Sequence, residues 1–157
     1  MYYNGIEWGN RWYFSPTETM GFGLMINWLD ATYSKKEISV SGIPTLTRAV
    51  LDLTFIEIGP LGTYALSDDM AVDGYYNLRP TWFTSVLSDN TESFGYSGFG
   101  FSHAIGAAFR YKIFNVGMEY VFGGINSIAV SSKNEDINIA DVKTKANSFR
   151  IKLGFKF

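Results

Sequence analysis

Hydrophobic and polar positions alternate with period two along most of this chain. In the closing stretch FRIKLGFKF, Phe149, Ile151, Leu153, Phe155 and Phe157 fall on one face of an extended strand, and Arg150, Lys152, Gly154 and Lys156 on the other. In GFGLMINWLDATY, Phe22, Leu24, Ile26 and Trp28 oppose Gly21, Gly23, Met25 and Asn27. RAVLDLTF sets Ala49, Leu51, Leu53 and Phe55 against Arg48, Val50, Asp52 and Thr54, and GFGFSHAIGAAFRY sets large apolar residues against Gly, Ala and Ser. The pattern predicts seven strands, at residues 3–14, 20–33, 46–58, 70–86, 96–112, 114–129 and 143–157. Asn10 interrupts the apolar face of the first. Pro80 cannot donate to a ladder, so pairing is expected to end or bulge near it. The only non-strand element expected is a turn or short helix in GPLGTYALSDD, Gly59 to Asp69.

The connections sort by length. SPTETM and KIFN are short, whereas SKKEISVSGIPTLT, SDNTESFGYS and SSKNEDINIADVK are longer and polar, and the two kinds largely alternate. Short turns at one end and long loops at the other are a property of transmembrane barrels. A soluble lipocalin-like barrel would turn the apolar face inward, and periodicity by itself permits that. The polar face argues otherwise, because it is mostly Gly, Ala and Ser with isolated charges, unlike a water-facing surface.

Composition agrees. The 157 residues, read as one domain over 1–157, are 17% aromatic and only 18% charged, with sixteen glycines. A net charge of −2 offers no basic footprint for nucleic acid. The lack of cysteine removes disulfide and thiolate chemistry and leaves the redox compartment open. No run reaches the ~18 apolar residues of a spanning helix, and the opening MYYNGIEWGN has no signal-peptide pattern.

The carboxy-terminal alternation ending on Phe157 resembles the terminal signal of Gram-negative outer-membrane β-barrels. That resemblance implies that Phe149, Ile151, Leu153, Phe155 and Phe157 are read by the barrel-assembly machinery during insertion. Across most of the chain the pattern is similar to small barrels of the outer membrane protein A and X and opacity-protein kind. IEIGPLGTYAL and DGYYNLRPT look like Bacteroidota barrels. The resemblance implies an all-β, antiparallel up-and-down transmembrane barrel of about eight strands in the bacterial outer membrane, surrounded by lipid. Seven strands depart from the even count of that family, which suggests an amino-terminal strand upstream or a strand missed near Gly59 to Met70.

Candidate chemistry is sparse. His103 is the sole histidine, so a His-based metal cluster is excluded. Its neighbour Ser102 points to the opposite face of a strand, so the two cannot serve as nucleophile and base on one surface. The His-x-Ser spacing of the outer-membrane lipid A deacylases, which resemble this fold, is absent, since Ile105 stands at that position. The acidic residues of KNEDINIAD lack calcium-loop spacing. No cofactor, metal or catalytic residue is expected. The inward charges Glu7, Arg11, Asp73, Arg79, Arg110, Glu119 and Arg150 suggest an ion-pair network filling the lumen, with Arg110 and Glu119 paired across the turn near Ile113. The expected role is structural, or binding of an extracellular ligand through the outer loops. The alternatives are a narrow pore for ions or small solutes and, behind it, a soluble binder of an apolar ligand.

Overall fold

A computed structural model describes residues 2–14, 16–38, 46–88, 93–133, 136–145 and 147–155. Every element among them is a strand: β1 Tyr2–Tyr13, β2 Met20–Ile38, β3 Leu46–Ser67, β4 Met70–Ser88, β5 Ser93–Tyr111, β6 Phe114–Lys133, β7 Asp136–Lys145 and β8 Ser148–Phe155. Each pairs antiparallel with the next from β1 to β7. β7 lies along residues 124–133 of β6 and β8 along residues 114–121, end to end. The sheet is therefore seven strands wide, an open half-barrel with β1 on one edge and β7 and β8 on the other.

The strands are longer than the apolar alternation suggests, because ladder hydrogen bonds join backbones whatever the side chains. Gly59 to Ser67 is neither turn nor helix nor a separate strand; it continues β3, and only Asp68 and Asp69 turn the chain into β4. Polar segments read as long loops also join the ladder. Lys35 to Ile38 pairs with Leu46 to Ala49, and Gly124 to Lys133 pairs with Asp136 to Lys145. The long and polar connections are thus mostly extended hairpins, and the length difference between the two ends of the sheet is smaller than expected.

Two bulges reverse the side-chain alternation. Between β1 and β2 the register slips after Trp8, leaving Trp28 as the extra residue, and between β3 and β4 it slips between Thr54 and Ile58, opposite Arg79 and Pro80. Pro80 thus sits where pairing was expected to bulge. Ile56 carries the second bulge at φ 58°, a left-handed conformation that costs a β-branched residue about 1–3 kcal/mol. Each bulge moves the following residues to the other face. Asp30 turns inward instead of outward, and so does Glu57.

Gly123 marks the place where the partner of β6 changes from β8 to β7. Its φ is +150°, and a Cβ there would lie 2.8 Å from Ser102 Cα and 3.0 Å from the Phe101 carbonyl oxygen. Gly123→Ala is expected to lower unfolding stability by about 1–3 kcal/mol through backbone crowding, read as a lower midpoint in urea.

Candidate functional site

The concave face holds the chemistry. Its most deeply buried side chains include Arg79, Glu57, Glu119, Asn77 and Asp73, while the convex face exposes Trp8, Phe22, Trp82, Phe99, Ile105 and Leu153. Ile151 is 74% exposed and Arg79 only 1%, the reverse of a water-soluble domain.

The buried charges meet in two groups. In the first, Asp73 Oδ2 forms ion pairs with Arg11 Nη1 at 2.9 Å and Arg110 Nε at 2.8 Å, while Oδ1 accepts from Arg110 Nη2 at 3.0 Å and from the Thr63 hydroxyl at 2.6 Å. Arg110 also donates to Tyr13 Oη at 3.3 Å. In the second, Arg79 bridges Asp30 and Glu57, with Nε 2.9 Å from Glu57 Oε2. Asn77 Nδ2 donates to the other Glu57 oxygen at 2.7 Å, and Arg150 Nη1 to Asp30 at 2.7 Å. Lys152 joins Glu7 to Glu119, and Tyr75 Oη donates to Glu119 at 3.3 Å. Each of these carboxylates contacts a cation, which is the condition for keeping charge away from water.

All seven charged residues singled out in the sequence, Glu7, Arg11, Asp73, Arg79, Arg110, Glu119 and Arg150, lie on this face. The pairing of Arg110 with Glu119 does not occur. Arg110 sits opposite Asn115, and Glu119 opposite Gly106, four residues further along. Asp73 on the adjoining strand takes Arg110, while Glu119 goes to Lys152. Sequence reasoning missed Asp30 and Glu57, which strict alternation places outward, and Lys152, whose position on the face of Arg150 was legible.

Two apolar clusters accompany the charges. Along β4 the inward residues run Asp73, Tyr75, Asn77, Arg79, Thr81, Phe83 and Ser85. Tyr75 packs with Met25 and Leu61, and Phe83 with Val50 and Ile125. The Arg79 group therefore lies between two apolar layers. Thr54, Thr81 and Ser102 extend it as a hydroxyl chain, with oxygens 3.1 and 2.8 Å apart.

No match emerges when the chain is compared with known protein families, curated proteins and solved structures.

Glu7, Asp30 and Glu57 bring carboxylate oxygens within 4.8 Å of one another, the spacing of a metal site. Arg79, Arg150 and Lys152 already contact these oxygens, so the protein's own cations stand where a metal's charge would act. Ser102 and His103 project to opposite faces. Ser102 is buried against Thr81, whereas His103 Nδ1 lies 2.6 Å from Tyr76 Oη on the convex face. The His103 ring stacks with Tyr76 and Phe122, at centroid distances of 5.8 and 5.4 Å. Phe149, Ile151, Leu153 and Phe155 are exposed along the convex side of β8; Phe157 lies outside the described residues.

Proposed function

We propose that this chain is an integral β-barrel protein of the bacterial outer membrane, without enzymatic activity, acting structurally or through the hairpins at the β2–β3, β4–β5 and β6–β7 end. The observation that carries the reading is the inversion of the sheet, charged inside and apolar outside. An exposed surface bearing Phe22, Trp82, Phe99, Ile105, Ile151 and Leu153 is far more apolar than water-facing domains sustain, and hydrocarbon is the solvent that suits it. The tryptophans fit a membrane boundary, since Trp28 Nε1 donates to Asn10 at 2.8 Å and Trp82 Nε1 to Ser97 at 2.9 Å.

The interior favours a filled barrel over a pore. An ion crossing it would have to separate the Arg79 and Lys152 pairs and pass the apolar layers at Tyr75 and Phe83. Small barrels have room for side chains and little else.

Refolding the denatured chain into detergent or lipid, beside a lipid-free control, tests the reading. A β-rich species formed only with lipid, migrating differently on gels before and after heating, is the expected result. A monodisperse β-rich protein in plain buffer would overturn it.

A further inference from the structure

Toward the β2–β3 and β4–β5 hairpins, the concave face carries a group of charges separate from the two already described. Val50, Phe83 and Ile125 form an apolar layer there, with the Tyr96 ring against Phe83 at a centroid distance of 5.5 Å. On the hairpin side of that layer the register sets Lys36 of β2 directly opposite Arg48 of β3. Cross-strand partners project to one face. It is the concave one, because the alternation that buries Thr32 and Ser34 on β2, and Val50 on β3, continues to Lys36 and Arg48. Like charges placed in this way repel each other.

No carboxylate offsets them among the described residues. Arg48 Nη2 donates to Tyr96 Oη at 2.8 Å and Nε to Ser85 Oγ at 3.4 Å, so two neutral oxygens hold the guanidinium in place without neutralising it. Glu37 alternates to the convex face and pairs with Lys35 at 3.7 Å. Asp52, two positions deeper than Val50 on β3, has its ion pair with Arg150 at 3.9 Å. Ser34 is an independent sign of the same deficit. It precedes Lys36 on the concave face, is 1% exposed, and its hydroxyl has no hydrogen-bond partner. A polar group so closed to water normally has one.

We propose that Lys36, Arg48 and Ser34 form a binding site for an oxyanion, the phosphate, sulfate or carboxylate group of a soluble molecule. The guanidinium offers N–H donors in the planar arrangement that suits such a group, Lys36 adds a second positive charge, and Ser34 adds a hydroxyl donor. The site opens on the concave side, away from the apolar convex surface, so the headgroups of a surrounding bilayer do not reach it. The apolar layer of Val50, Phe83 and Ile125 forms its floor. Given the membrane reading, on which the direction of entry rests, the ligand arrives from outside the cell.

The probe is inorganic phosphate. The refolded chain is dialysed to equilibrium against radiolabelled phosphate at fixed ionic strength, beside the variants Arg48→Gln, Lys36→Gln and Lys35→Gln, each checked for β structure by circular dichroism. The expected result is saturable binding, weakened about tenfold by Arg48→Gln and by Lys36→Gln and unchanged by Lys35→Gln. Lys36→Gln should also raise the urea midpoint in phosphate-free buffer, because it relieves the repulsion, and the gain should shrink when phosphate is added. Phosphate that does not saturate, that binds as well to both Lys36→Gln and Arg48→Gln, or that is lost equally with Lys35→Gln would overturn the site. So would a Lys36→Gln variant less stable than the parent without phosphate, since Lys36 would then already have an anionic partner within the chain. Should Arg48→Gln fail to fold, Lys36→Gln, at an exposed position, decides the matter. A chain that folds in plain buffer and still binds phosphate would overturn the membrane reading and leave the site standing.

Discussion

Replacing Arg79 with methionine is expected to cost about 3–5 kcal/mol of stability, the range for breaking a buried ion pair by removing one partner. Arg79 is the sole cation contacting Glu57 among the described residues and shares Asp30 with Arg150. Its loss leaves Glu57 with only Asn77 as a donor, in a site closed to water. The effect should appear as a lower urea midpoint. The double variant Arg79→Met, Glu57→Gln should recover most of the loss, since it removes the Glu57 charge together with its cation and leaves Asp30 paired with Arg150. A double variant as unstable as the single one would show that the site depends on packing around the guanidinium and not on charge balance.

Ile105→Lys gives the second large effect, and its size depends on the solvent facing the sheet. Ile105 lies near the middle of β5 on the convex face, beside Tyr76 and Tyr120, and is 55% exposed. Against hydrocarbon, a lysine near the midplane of a barrel costs about 2–4 kcal/mol. Against water, the same exposed substitution should fall within about 0.5 kcal/mol of neutral. Equilibrium unfolding from lipid vesicles distinguishes the two, and a neutral result there would remove the main support for a membrane barrel. The substitution leaves the Arg79 group untouched, so its effect should add to that of Arg79→Met.

Much of the concave face was legible in the sequence for one reason: alternation on a pleated strand assigns faces without knowledge of neighbours. Glu7, Arg11, Asp73, Arg79, Arg110, Glu119 and Arg150 were placed by parity, and the structure finds them all on that side. Parity is a local rule, however, and it fails wherever a bulge intervenes. Asp30 follows Trp28 and Glu57 follows Ile56, so strict alternation assigns both carboxylates to the apolar face. The bulges in turn become intelligible through the charge they deliver. Ile56 is held in a costly conformation at the point that brings Glu57 to Arg79.

Partner choice was less legible than face. Arg110 and Glu119 share a face and flank one turn, yet the register sets them four residues apart along the ladder, and Asp73 on the other neighbouring strand is nearer to Arg110. Strand length was also hidden. A backbone ladder extends through polar residues as readily as apolar ones, so Gly59 to Ser67 and most of β7, where Ile137 and Ile139 stand among Asp and Asn, lie outside the expected strands.

The sequence by itself determined an all-β chain whose strands each have an apolar face and a face of small residues with scattered charge, because side-chain alternation is a property of single strands. Only the tertiary structure decided which charges meet, where Trp28 and Ile56 reverse the alternation, and that the free edges of β1 and β8 run in the same direction. Those features arise from register between strands distant in the chain, to which local periodicity is blind.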